Sequence, residues 1–249
     1  MYGKVTVTGM IISSVPMGEF DRRVTILTKE KGKISAFAKG ARRPTGNLTG
    51  CSQMFSFGQF VLYEGKDSYN LESADVSTSF VDVREDLNAI YYGMYFCEFA
   101  LHLTRENVKA KEELNLLYVT MRALEKGQMD KKLIRVAFEL RFLTEGGEMP
   151  ESHRCLKCGK EMKEEEHALF NAKEGGLICM DCSGGRTGVP VCRSTVYALQ
   201  FIVSSPLQSL YSFNVQENVL KELEAVRQTY SKTYAGTSFK SEEMLDILQ

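Results

Sequence analysis

Four cysteines carry the clearest chemistry in this chain. They stand as Cys155-Leu-Lys-Cys158 and Cys179-Met-Asp-Cys182, two Cys-x-x-Cys pairs with twenty residues between them. A two-residue gap lets one tight turn aim two sulfurs at the same point. Two such turns can complete a tetrahedron around a Zn²⁺ ion, with Zn–S distances of about 2.3 Å. Gly159 follows the first pair and Ser183-Gly184-Gly185 the second, and glycine permits the positive φ that such knuckles often need. Four thiolates fill the coordination sphere, so the expected site is structural, with one zinc per chain; a catalytic zinc keeps an open position. His153 and His167 lie close by and either could replace a sulfur. The alternative is four reduced cysteines without metal.

The second group is cationic. Between Glu19 and Arg43 lie eight basic and three acidic residues. Residues 1–80 carry ten Lys/Arg against seven Asp/Glu, whereas the rest of the chain carries 21 against 25, within a total charge of −1. A basic cluster on a balanced chain is the footprint of a phosphate-binding surface. Arg22, Arg23, Lys29, Lys31, Lys33, Lys39, Arg42 and Arg43 are the candidate phosphate contacts; the other reading is a solvated strand face. Phe20, Phe37, Phe55, Phe57, Phe60, Tyr63 and Tyr69 are interleaved with them, and about two of these are expected to be exposed and able to stack bases. A third group, Lys126, Lys131, Lys132 and Arg135, sits near Glu139. Lys131, Arg135 and Glu139 fall at i, i+4 and i+8, which predicts one exposed face suited to an acidic, partly apolar peptide, or else a locally balanced helix surface.

These groups need elements to position them. Residues 4–15 are rich in β-branched side chains and predict a strand, broken at Pro16-Met17-Gly18. Asp21–Thr28 and Lys33–Lys39 alternate as a hairpin around Lys29–Gly32. Gly40–Gly50 reads as a loop, and Phe55–Tyr63 and Tyr69–Ser77 as two further strands joined by Gly65-Lys66-Asp67. Five short strands of this kind predict a small barrel of the oligonucleotide/oligosaccharide-binding (OB) type, which binds single strands across strands 2–3 and nearby loops. The pattern then turns helical. Asp82-x-x-Glu85 predicts a capped helix from Val83 to Thr104 with a stripe of Tyr92, Phe96, Phe99 and Leu103. Lys111–Lys126 and a segment from Asp130 to Gly146 complete an expected three-helix bundle. Ala168–Phe170 and Gly176–Ile178 predict a ribbon that joins the knuckles, after a charged insert in which Glu164-Glu165-Glu166 reads as a solvated turn. Beyond it, Ser194–Ser204, a helix capped by Asn214 and running to Tyr234, and Ser241–Leu248 are expected. The predicted class is a multidomain α+β chain: residues 1–80 an OB-fold DNA-binding domain, residues 81–249 a helical domain carrying the zinc module at 153–185.

At 249 residues, 43% hydrophobic and 25% charged, the composition is that of a soluble globular protein. No apolar run approaches the roughly 20 residues of a membrane helix, and Met1-Tyr-Gly-Lys-Val lacks the features of a secretory signal. A cytoplasmic location is expected, where cysteines stay reduced and favour metal over disulfides. Cys51, Cys97 and Cys192 then read as small buried side chains. The Gly-x-x-x-x-Gly-Lys-Ser/Thr loop, the Gly-x-Gly-x-x-Gly turn, the Gly-x-Ser-x-Gly elbow and the His-x-Glu…Pro-Cys-x-x-Cys pattern of zinc deaminases are absent from the sequence. This argues against an enzyme.

With that order of parts, the run from Thr28 to Pro44, and above all Lys39-Gly-Ala-Arg-Arg-Pro44, resembles the bacterial recombination mediator family RecO. The likeness extends over essentially the whole chain, and the four cysteines match the family's zinc-bearing branch. It implies a non-enzymatic protein of recombinational DNA repair, nucleoid-associated in the cytoplasm. Such a protein binds single- and double-stranded DNA and anneals complementary strands without nucleotide hydrolysis. It would associate with RecR, contact the acidic C-terminal tail of single-stranded DNA-binding protein (SSB) and help load RecA. Lys126, Lys131, Lys132 and Arg135 are the candidate tail contacts. Two other classes fit the residues alone: an RNA-binding zinc-ribbon protein of translation, and a structural interaction module.

Overall fold

The computed structural model describes residues 3–66, 68–162, 167–237 and 239–247. The chain divides into two units, Met1–Glu125 with Phe239–Gln249, and Lys126–Ser238.

In the first unit, β1 (Lys4–Met17), β2 (Asp21–Thr28), β3 (Gly32–Ala38), β4 (Phe57–Glu64) and β5 (Tyr69–Thr78) close a barrel in the order β1-β2-β3-β5-β4. The β3–β5 pairing, Ala36↔Tyr69 and Phe37↔Asn70, is parallel; the others are antiparallel. The long first strand serves two partners: Lys4–Met10 pair with β4 and Gly9–Met17 with β2. Gly9 stands where the two ladders overlap, and a Cβ there would lie 2.5 Å from the Leu27 carbonyl oxygen. Only glycine lets the backbones approach so closely. Alternation sends Val24, Ile26, Ile34, Ala36, Phe60 and Leu62 inward. The segment between β3 and β4 is a series of turns that delivers Ala41 and Leu48 into the same core.

Pro16 does not end the first strand as expected; it pairs with Arg22 inside it. By that point β1 has parted from β4 and has only β2 as a partner, so the missing N–H falls where a strand edge tolerates it. Gly18, at φ 60°, makes the turn.

Helix α1 (Val81–Glu85) is separate from α2 (Leu87–Leu103). The expected continuous helix capped by Asp82 is interrupted at Asp86, which takes an extended conformation and accepts the Ala89 amide at 2.8 Å. The N-cap position of α1 is Phe80, without a side-chain cap. An aspartate that caps a new helix satisfies its first orphan amides, which offsets the break. Helix α3 spans Lys111–Lys126, as its apolar spacing predicts, and Tyr118 packs its ring against Phe57 and Phe80 at 4.6 and 5.6 Å between centroids.

In the second unit, α4 (Lys131–Glu145) starts at Asp130, whose carboxylate accepts the Lys132 amide at 2.7 Å. A sheet of order β7-β6-β8 comes next, from β6 (His167–Asn171), β7 (Gly176–Cys179) and β8 (Val189–Cys192). Helices α5 (Arg193–Ser204) and α6 (Glu217–Tyr234) pack on α4. The N-cap of α6 is Gln216 rather than Asn214, with no side-chain cap bond. Glu217 in the first turn pairs with Lys221 at 2.6 Å, and an acidic side chain there complements the helix dipole. In the first unit again, α7 (Lys240–Ile247) packs on α2. Glu98 accepts the Lys240 and Ser241 amides at 3.2 and 2.9 Å, and Phe239 lies 5.1 Å from the Phe99 ring. The Glu164–Glu166 turn and Leu248 lie outside the described residues.

The second unit encloses a charge cluster. Glu139 is wholly buried and accepts from Arg135 Nε at 2.7 Å, from Arg227 at 3.2 and 3.3 Å, and from the Ser231 hydroxyl. Removing one partner of such a set strands the others in low dielectric. Glu139→Ala is therefore expected to destabilise the protein by about 3–5 kcal/mol, read from urea unfolding; a loss within about 0.5 kcal/mol, as at an ordinary surface site, would contradict this role.

Candidate metal centre and nucleic-acid interface

Local folding brings the four cysteines together. Cys155 and Cys158 form a turn closed by the Gly159 amide on the Cys155 carbonyl at 2.9 Å, with Gly159 at φ 73°. The second pair begins at the end of β7 and continues in a single 3-10 turn, Met180–Cys182. The Leu156 amide donates to the Leu177 carbonyl at 2.9 Å and locks the first turn beside β7. All four Sγ atoms lie within 4.8 Å of one another, and Cys158 and Cys179 are 3.7 Å apart. A tetrahedral Zn–S bond of about 2.3 Å requires sulfur–sulfur edges of roughly 3.8 Å, so the donor set fits a tetrahedral soft cation. Among the described residues no histidine joins the cluster; the His153 ring instead meets the Ser204 hydroxyl at 3.0 Å.

The electrostatics point the same way. Burial opposes ionisation of Cys155, but amides of Cys158, Cys179 and Lys157 outweigh it and bring the thiol down to about 6. Thiols of Cys179 and Cys158 push Cys182 up to about 12, and burial raises Cys179. A stabilised thiolate opposes ionisation of the thiols beside it.

The cations of the barrel do not form one patch. They gather at opposite ends of the β2–β3 ladder, whose eight β2 residues span roughly 25 Å at about 3.3 Å each. Lys29, Lys31 and Lys33 lie at the hairpin end. Lys33 is committed there: its ammonium donates to the Leu101 carbonyl at 2.7 Å, in the last turn of α2. Lys31 reaches the Tyr69 hydroxyl at 3.2 Å and Glu64 at 3.6 Å, and the Tyr69 bond chiefly raises its pKa. Lys29 is exposed.

The other end holds Arg22, Arg23, Lys39, Arg42 and Arg43. Arg22 alternates with Val24 and turns to Ser14 at 3.1 Å. Arg23, on the outer face, donates to Ser35 at 2.9 Å. Val15, Arg23, Phe37 and Asn70 are successive cross-strand partners, so a cation sits between an aliphatic and an aromatic side chain. Arg42 donates to the Gly18 carbonyl at 3.0 Å, and the Arg43 guanidinium lies 5.1 Å over the Phe20 ring. Phe20 and Tyr63 are the two aromatics of the seven that are exposed. Val15, Met17 and Lys66 also stand at this end; alternation carried through Pro16 places Val15 and Met17 on one face of β1. Lys66 comes from the β4–β5 turn and lines a recess with Lys39.

The expected exposed face of α4 is corrected by burial. Arg135 is 4% exposed and Glu139 0%, because pairing lets the row sink into the packing of α4 on α6. Arg141 is also engaged, with Glu145 and with carbonyls of Ile202, Val203 and Ser205 that close α5. Lys126 is exposed, and Lys131 and Lys132 are half-buried. Among the described residues no helix is long and apolar enough to cross a membrane.

A closed five-stranded barrel of this strand order, with a cationic end and a four-cysteine cluster elsewhere in the chain, defines an OB-barrel protein of α+β class. The family profile described as "Recombination protein O N terminal" matches residues 1–80, and that described as "Recombination protein O C terminal" matches residues 84–243. The chain belongs to the recombination protein O (RecO) family. It is similar to "DNA repair protein RecO" of Acetivibrio thermocellus, 37% identical over 90% of this chain and 89% of the relative. It is also similar to the proteins of the same name from Anaeromyxobacter sp., 32% identical over 98% and 96%, and Halalkalibacterium halodurans, 28% identical over 97% and 94%.

The cysteine geometry generates one prediction. Metal analysis of the purified protein is expected to find a thiolate-bound divalent ion, and Cys155→Ser to lose it with a lower melting temperature, since metal binding is coupled to folding. Unchanged metal content and melting in that variant would contradict the site.

Proposed function

We propose that this chain is a non-enzymatic mediator of recombinational DNA repair. It binds single- and double-stranded DNA, anneals complementary strands and, with RecR, helps RecA load on single strands coated by SSB. The observation that carries this reading is the agreement of two RecO profiles and of relatives named DNA repair protein RecO along nearly the whole chain. It is supported by cations and exposed apolar side chains that share one end of an OB barrel. The protein works in the cytoplasm, on the nucleoid.

The barrel end suits annealing by charge neutralisation. Arg23, Lys39, Arg42 and Arg43 contact phosphates and release counterions, which weakens the repulsion between two strands. Phe20, held beneath Arg43, and Val15 and Phe37 offer surfaces against which unpaired bases stack. No step of this needs nucleotide hydrolysis. The metal is zinc, one per chain. Held by Cys155, Cys158, Cys179 and Cys182, it cross-links the two knuckles, a structural role that leaves the DNA-binding residues in the barrel. Lys126, Lys131 and Lys132 receive the acidic tail of SSB; Arg135, being buried, takes no part.

The test is annealing of SSB-coated complementary strands with and without this protein, which is expected to accelerate it; no acceleration, with or without RecR, would overturn the mediator reading. Arg42→Glu/Arg43→Glu should weaken binding to single strands uniformly across sequences, with the salt slope falling by about 0.7–0.9 per lost contact; wild-type affinity at matched salt would place the phosphate path elsewhere. A labelled SSB-tail peptide should bind a Lys131→Glu/Lys132→Glu variant more weakly than wild type, in a salt-dependent way. Equal affinity in the folded variant would remove the tail from this helix.

A further inference from the structure

The basic end of the barrel also contains a carboxylate. Asp21 opens β2, directly opposite Met17. By alternation it shares the outer face with Arg23. It lines a surface recess of about 470 Å³ together with Met17, Phe37, Lys39, Lys66 and Asn70. That volume is within the range of small-ligand sites, about 300–1,000 Å³. The recess is formed by the facing ends of β1 and β2, the end of β3 and the residues between β4 and β5, so three separate stretches of sequence converge on it.

The chemistry of its walls is mixed in a specific way. Met17 and Phe37 provide apolar surface suited to the faces of a flat ring. Lys39 and Lys66 are exposed, and neither has an ion-pair partner among the described residues. Asp21 Oδ1 accepts the Gly40 amide at 2.7 Å, which fixes the carboxylate in place, while Oδ2 has no partner among the described residues. An ionised carboxylate only accepts hydrogen bonds, at about four lone-pair positions. It repels phosphate and attracts a donor edge. A nucleotide presents both features at once: a phosphate for the two lysines and a base edge for the carboxylate.

We propose that this recess takes one unstacked base of a single DNA strand, with Asp21 reading its hydrogen-bond donors and Lys39 and Lys66 holding the neighbouring phosphates. The inference rests on the DNA-binding reading above and adds a base preference to it. Guanine fits best, because its N1–H and N2–H₂ lie side by side and can both donate to one carboxylate. Thymine offers a single imino donor flanked by two carbonyl oxygens, which the carboxylate repels. The base must be unpaired, since pairing in a duplex occupies the same donors. The recess therefore favours single strands, in addition to the sequence-independent attraction of the arginines.

The experiment measures anisotropy of end-labelled single strands with the full-length protein at fixed salt. One strand is a thymine homopolymer, the second carries isolated guanines, and the third carries hypoxanthine at the same places, which lacks the 2-amino group. The guanine strand is expected to bind about three- to tenfold tighter than the thymine strand, the scale of one exposed charge-assisted hydrogen-bond pair, with the hypoxanthine strand between them. Asp21→Asn keeps a carbonyl oxygen for the Gly40 amide but replaces the second acceptor with a donor. It should abolish the preference between the guanine and thymine strands. Lys66→Ala should weaken all three strands equally. Equal binding of guanine and thymine strands by the wild-type protein, with affinity still falling with salt, would overturn the base-reading recess and leave the DNA-binding reading standing. Absence of salt-dependent binding to any strand would overturn both.

Discussion

The first unit depends on the closure of its barrel by a single strand that serves two partners. β1 pairs with β4 over its first half and with β2 over its second, and the exchange happens at Gly9 and Met10. A side chain at Gly9 would collide with the Leu27 backbone, so the bend is possible only because that position is bare. The ladder slips between Ile11 and Ser13, and such irregularities bend a strand and increase its twist. The residues beyond the bend are carried to the far end of the barrel: Val15 and Met17 join the outer face of β2 there, and the Gly18 turn presents Phe20. The cationic end of the barrel is thus a consequence of how the barrel closes.

The four-cysteine module is small. Its sheet has three strands of five, four and four residues, too little to bury an independent core. Two of the four sulfurs, Cys155 and Cys179, are almost fully buried and lie at the join of the first knuckle with β7. Elsewhere in this unit the helices bury Glu139 between two guanidiniums, a set in which loss of one partner strands a buried charge.

Geometry separates the cations that hold the fold from those that face solvent. Lys33 and Arg141 donate to carbonyls in the last turns of α2 and α5, where the helix dipole favours a cation. Arg135 and Arg227 neutralise Glu139. Those four cations hold the fold. Lys39, Arg42 and Arg43 stand in the segment after β3, where they remain solvent-facing. A count of basic residues cannot distinguish a side chain that ends a helix from one that faces solvent.

Much of this was legible in the sequence because it is local. The Cys-x-x-Cys spacing, the alternation of β2 and the apolar period of α3 each depend on geometry within a few residues, and the structure follows them. Sequence resemblance in the Lys39–Pro44 run likewise pointed to the RecO family. The tertiary structure decided the rest. Asp86 broke a helix that the apolar stripe of α2 alone would continue, because its side chain offered the Ala89 amide a better acceptor. Arg135 and Glu139 had the spacing of an exposed face and became core, because α4 packs against two other helices and each charge found its opposite there. The recess around Asp21 draws on β1, β3 and the β4–β5 turn, which only barrel closure brings together. Periodicity states which side chains share a face; what covers that face depends on contacts between residues distant in the chain.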